Sequence, residues 1–100
     1  MISIELKKND KKIEQIVIKG HANYSDKGKD IVCAAVSAIA IYSINLMEKL
    51  GYKINNMVED GYVKMINDQN SDIVDKIFEQ MELEFVGLYE QYPRNIYLKH

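Results

Sequence analysis

The feature that most restricts the fold is one long apolar run, Ile31 to Met47, broken only by Ser37, Ser43 and Asn45. Its first half, IVCAAVSAIAIY, is apolar nearly all round and rich in alanine. A helix of that kind is expected to be buried, with its neighbours packed closely against it. The run is shorter than the ~20 residues that a bilayer span needs, so a core helix is the reading and no membrane partner is expected. Asp30 suits the N-cap, because its carboxylate can accept backbone N–H bonds that the first helical turn leaves open. The helix is then expected over Ile31 to about Leu50, with Gly51 stopping it.

The remaining segments supply a sheet and a second helix. Ile2, Ile4 and Leu6 alternate with polar neighbours, the period-two sign of a half-buried strand. Asn9-Asp10 offers a turn into a second strand, Lys12 to Lys19, with Ile16 and Ile18 on one face and Val17 on the other. Gly20 ends that hairpin, and His21 to Lys29 is polar and small-residue-rich, which reads as a loop. Tyr52 to Glu59 and Tyr62 to Asn67 flank Asp60-Gly61, a hairpin signal because glycine accepts positive φ. A helix follows from Asn70-Ser71, with Asp72 and Asp75 favourably placed in its first turn. Its apolar stripe reads as Ile73, Ile77, Met81 and Leu88, flanked by Val74, Phe78 and Phe85, and Pro93 closes it. Ile96 and Leu98 alternate in a last short strand, Asn95 to Lys99. The order ββαββαβ predicts an α+β two-layer sandwich: a mainly antiparallel sheet with two long helices on one face, one domain over residues 1–100.

Composition removes several classes of function. The chain of 100 residues is 47% hydrophobic and 28% charged, as in ordinary globular proteins. Thirteen Lys and Arg stand against 15 Asp and Glu, a net charge of −2, so no direct nucleic-acid partner is expected. Lys7, Lys8, Lys11 and Lys12 cluster, but Asp10 and Glu14 break the run, and a solvated hairpin tip accounts for them. The single cysteine forbids an internal disulfide, and a lone thiol with no leader-like N-terminus fits a reducing cytoplasm. With one Cys and two His, one of them His100, no metal site is expected, and no cofactor motif is present.

One segment does not read as plain structure. GHANYSDKGKDIVCAAVS places a histidine just past a strand end, then a glycine-containing loop, then a cysteine early in a helix. Counting Asp30 as the cap, Cys33 is the third helical residue, where the partial positive charge of the helix end stabilises a thiolate. Asp30, Cys33 and Ser37 share one helix face by their spacing. Each has a plainer reading: Cys33 as a small core residue beside Ala34 and Ala35, His21 as a loop histidine bonded to backbone, Ser37 as a donor to the Cys33 carbonyl. The loop between His21 and Cys33 can bring the two together, which is the nucleophile–base arrangement of thiol catalysis.

Gly20-His21-Ala22, then Gly28, then Asp30 through Ser37 as DIVCAAVS, closely resemble the signature of the ribosomal-processing cysteine protease family, often called Prp. The resemblance runs through the whole chain in length and element order. It implies a small bacterial enzyme with a Cys/His dyad, Cys33 as nucleophile and His21 as general base, supported by Asp30, Ser37, Gly20 and Gly28. It further implies a homodimer and a mobile loop between the catalytic residues. The implied substrate is the N-terminal peptide of a large-subunit ribosomal protein, whose short extension is cut off after an aromatic residue. Tyr24, Tyr42, Met47 and Met57 are candidate walls for the aromatic subsite, each equally readable as core or surface. The competing reading is a ribosome-assembly or ribosomal-protein-binding factor that does not cut.

Overall fold

The computed structural model describes residues 1–20 and 27–100, with residues 27–30 described by their backbone alone. Seven elements follow in order: β1 (Ile2–Asn9), β2 (Lys12–Lys19), α1 (Lys27–Lys49), β3 (Asn55–Glu59), β4 (Tyr62–Ile66), α2 (Asp72–Gln91) and β5 (Ile96–Lys99). Among the described residues the strands form one mixed sheet in the order β3-β4-β2-β1-β5. The hairpins β1–β2 and β3–β4 are antiparallel, as is the β2–β4 pairing, whereas β5 runs parallel to β1. The α+β sandwich expected from the sequence is therefore the fold, with β5 making the sheet mixed.

Period-two alternation sends Ile2, Ile4, Leu6, Ile16, Ile18, Val63, Met65 and Ile96 into the core beneath the helices. Ile13 joins them although its position is odd where Ile16 and Ile18 are even. A bulge explains this: Lys7 faces Gln15 but Lys8 faces Ile13, so Glu14 is an extra residue that resets the alternation. Asn67, just past the end of β4, meets that bulge, its N–H donating to the Glu14 carbonyl at 2.8 Å.

Helix α2 begins where expected. The Ser71 hydroxyl accepts from the Val74 N–H at 3.3 Å, and Asp72 and Asp75 occupy the first turn. Its buried stripe is Val74, Phe78, Met81 and Phe85, spaced by three and four residues. Ile73 is instead exposed, and Ile77 and Leu88 only flank the core, so the centre of the stripe lies about one residue further round than the sequence reading placed it. Phe78 and Phe85 are fully buried, each worth about 1.5–3 kcal/mol of apolar burial.

Helix α1 departs from expectation at both its start and its surface. It begins at Lys27, so Lys27, Gly28 and Lys29 are helical rather than loop, and Asp30 is the fourth residue of the helix rather than its cap. One face, with Val32, Val36, Ala40, Ile44 and Met47, packs on the sheet, while Ile31, Ile41, Tyr42 and Leu50 lie exposed. All-round apolarity therefore does not mean all-round burial here. By length and composition the stretch Ile31–Lys49 could cross a membrane. It serves instead as the core helix of the sandwich, fixed by its buried face. Ser43, nearly buried, satisfies its hydroxyl by donating to the Ile39 carbonyl at 2.7 Å.

Candidate active site

Cys33 sits on the seventh residue of α1, half-buried, at the edge of the core. Because the helix starts at Lys27, Cys33 lies in its second turn. The partial charge of a helix end fades within the first turn, so the expected stabilisation of a thiolate by the helix start loses its basis. The open N–H groups within the helix are likewise those of its first three residues, 27–29, one turn earlier than Cys33.

What surrounds Cys33 is a cavity of about 160 Å³. It is walled on one side by α1, through Cys33, Val36, Ser37 and Ile41, and on the other by Val58 to Val63 of the β3–β4 hairpin. Ile2, Ile18 and Gly20, from the start of β1 and the end of β2, close its base. Cys33, Ser37 and Ile41 follow one another at single-turn intervals and present one flank of α1 to this space. Ser37 thus lines the same cavity as the thiol, as the helical spacing suggested. Glu59 and Asp60 bring the carboxylates among its lining residues.

Gly20 is where three strands meet at this cavity. Its φ of +135° lies where side-chain-bearing residues rarely go. A Cβ there would come within 2.6 Å of the Met1 carbonyl oxygen and 3.0 Å of the Ile2 Cα. Its N–H donates to the Gly61 carbonyl at 3.1 Å, pinning the end of β2 to the β3–β4 turn. Only a glycine satisfies both the dihedral and the close approach of β1.

The other sequence candidates divide. His21 and Tyr24 lie outside the described residues, and for Gly28 and Asp30 the backbone alone is described, inside the first turn of α1. Of the proposed subsite walls, Met47 is buried in the core, Met57 is exposed on β3, and Tyr42 faces a different groove. The walls that do surround Cys33 were missed. Ile2, Ile18, Ile41, Val58 and Tyr62 come from separate elements, and no local pattern links them.

The larger groove, about 710 Å³, lies between α1 and α2 on the opposite flank of α1. Tyr42, Leu46, Leu50, Ile73 and Ile77 make it mostly apolar, with Lys76, Gln80 and Glu84 along its rim. It contains no thiol or imidazole among its lining residues. Size alone would select it, but Cys33 lines the smaller cavity.

The family described as cysteine protease Prp matches residues 1–97. The ribosomal processing cysteine protease Prp of Staphylococcus aureus is 30% identical, the alignment covering 100% of this chain and 99% of that protein. That of Mycoplasma genitalium is 32% identical over 96% of this chain and 92% of its own length. Among solved structures, a Streptococcus mutans protein superposes with a TM-score of 0.89 at 28% identity, covering 99% of this chain and 92% of its own. The S. aureus protease Prp in complex with a substrate peptide superposes at 0.85 and 28% identity, covering 99% and 98%. The chain belongs to the Prp family of ribosomal processing cysteine proteases.

Proposed function

We propose that this cysteine protease removes a short N-terminal extension from a bacterial large-subunit ribosomal protein, with Cys33 as nucleophile and His21 as general base. One observation carries the assignment of residues. Gly20, which immediately precedes His21 in the sequence, lines the same cavity as Cys33 and Ser37, although β2 and α1 supply them separately. β2 thus ends at the edge of the thiol's own cavity, one residue before His21 in the sequence, which supports a nucleophile–base pair.

In this reading His21 takes the Cys33 proton and the thiolate sulfur attacks the scissile carbonyl carbon. The tetrahedral intermediate collapses to a thioester as His21 returns the proton to the leaving amine. Water then attacks the thioester, releasing the second product and restoring the thiol. Donors to the oxyanion have to come from outside the Cys33 turn, because its N–H groups are engaged within the helix. Gly20 has the structural role already described, and Ser37 shares the reaction cavity. Asp30 and Gly28 belong to the turn of helix before Cys33.

The same reading places the protein in the bacterial cytoplasm, where a single free thiol stays reduced. It also carries a homodimer. What supports that is the apolar outer flank of the helices, with Tyr42 68% exposed, and the Lys76-Gln80-Glu84 row on α2. That row of cation, amide and anion is complementary to itself across a two-fold axis at Gln80.

The test is cleavage of a synthetic peptide spanning the junction between the extension and the mature ribosomal protein. Wild-type protein is expected to cut it, Cys33→Ala to leave it intact, and His21→Ala to lower kcat/KM by at least about 100-fold. An intact peptide with wild type, or equal cutting by Cys33→Ala, overturns the assignment.

A further inference from the structure

Strand β3 is one edge of the sheet, and all five of its residues are exposed. Which of its main-chain groups are free follows from the pairing. The Gly20 N–H bonds to the Gly61 carbonyl, so on β4 the odd-numbered residues Gly61, Val63 and Met65 turn their hydrogen-bonding groups toward β2. Tyr62, Lys64 and Ile66 therefore turn theirs toward β3, bonding to Glu59, Met57 and Asn55. Asn56 and Val58 are left with their N–H and C=O groups directed away from the sheet.

Soluble proteins usually blunt such an edge with lysine, proline or a cover. The sequence of β3, NNMVE, contains neither lysine nor proline, whereas the opposite edge, β5, is four residues long and ends on Lys99. The open edge is also continuous with the reaction cavity. Val58 both lines that cavity and is 48% exposed, and Ile41 on the facing flank of α1 is 42% exposed. Val58 pairs with the buried Val63, so its side chain points to the helix side of the sheet, beyond the reach of α1's cover. A further strand laid beside β3 would meet main-chain groups at Asn56 and Val58 that pair with no strand among the described residues, and an apolar rest on Val58 and Ile41. Its course would take it past the mouth of the Cys33 cavity.

We propose that the free edge of β3, through the main-chain groups of Asn56 and Val58, is where the substrate peptide pairs as an added strand, presenting its scissile bond to Cys33. This rests on the cysteine-peptidase reading of that cavity. It assigns affinity to backbone pairing, which any extended sequence supplies, and leaves side-chain selection to the cavity walls.

The experiment uses the full chain as Cys33→Ala, so that the junction peptide binds without turnover, and follows amide hydrogen exchange residue by residue. Saturating peptide is expected to slow exchange at Asn56 and Val58 by about 10-fold or more, while Met57, already paired, changes little. In parallel, N-methylation of alternate peptide nitrogens is expected to weaken binding by about 5- to 10-fold in one phase and hardly at all in the other. Cleavage by the wild type without protection at Asn56 and Val58 overturns the pairing and leaves the peptidase reading standing. Protection without cleavage by the wild type upholds the pairing and overturns the peptidase reading. A peptide that neither binds nor is cut overturns both. Amides already protected before peptide is added, in a species of twice the chain mass, give the edge to a second copy and overturn the proposal.

Discussion

The Asn67 side-chain amide donates to the Asp75 carboxylate at 2.8 Å, and the same nitrogen reaches the Ile13 carbonyl at 3.2 Å. One nearly buried side chain thus ties the bulge in β2 to the first turn of α2. Asn67→Ala removes both bonds and leaves the Ile13 carbonyl without this donor. The expected loss is about 1–3 kcal/mol of stability. Urea denaturation should show a lower midpoint at unchanged slope, and an unchanged midpoint would show that the two bonds contribute nothing.

Gly20→Ala should be among the most damaging small substitutions. It combines a φ of +135° with a Cβ only 2.6 Å from the backbone oxygen of Met1, just before β1, so backbone rather than a flexible side chain has to move. A cost of about 1–3 kcal/mol follows from the dihedral alone, before the clash is counted. Thermal melts of the variant against wild type test this, and equal midpoints would contradict it.

Glu82 accepts from Lys8 Nζ at 2.7 Å and lies 2.8 Å from His100 Nδ1, both on the same carboxylate oxygen. Partial burial pushes its pKa up, but the hydrogen bonds and charges of Lys8 and His100 together outweigh it and hold the pKa below the ordinary value. A carboxyl with a depressed folded-state pKa contributes stability that is fully present above its unfolded pKa, about 4.3 for glutamate, and is lost as pH falls through the folded value. Glu82→Gln should therefore be less stable than wild type at neutral pH, by no more than about 1 kcal/mol for so exposed a cluster. The two proteins should converge below pH ~4 and also at high salt. A difference that persists in acid would assign the effect to packing.

Asp30→Asn separates charge from structure at the start of α1. Since Asp30 is the fourth helical residue, the substitution removes no cap and costs only the first-turn charge–dipole contribution, about 0.3–1 kcal/mol, so the melting midpoint should fall by no more than a few degrees. If the carboxylate acts electrostatically on the proposed Cys33–His21 dyad, kcat/KM falls and its pH profile shifts. Unaltered cleavage of the junction peptide would remove Asp30 from the site.

Much of this architecture is written locally. Asp60-Gly61 marks its hairpin because Gly61 takes a φ of +73°, and Ser71 marks the start of α2 because its hydroxyl has an N–H to accept. The start of α1 is hidden because Lys27-Gly28-Lys29 is polar and carries a glycine, which costs a helix about 1 kcal/mol relative to alanine. The Tyr52–Ile54 stretch looks like strand, yet the Tyr52 N–H is taken by the Met47 carbonyl, so pairing begins only at Asn55. The parallel partnership of β5 has no local signature at all, being chosen by β1 from the far end of the chain. The same holds for the site. The motif around Cys33 is contiguous and legible, whereas its walls at Ile2, Ile18 and Val58 are assembled only by the sheet.

The pairing of Ile2 with Ile96 has a consequence for how the protein comes into being. β1 is made before β5 and all the elements between them, so the strand next to this edge of the sheet waits for its second neighbour until every other element has been made. Until then one edge of β1 is bare, its hydrogen-bonding groups facing water or another nascent chain. Contacts this distant in sequence fold slowly, and an unpaired edge is where misassembly starts. Birth of this fold is therefore a race between making β5 and mispairing, and conditions that stall elongation between α2 and β5 should penalise its yield more than its finished stability would suggest.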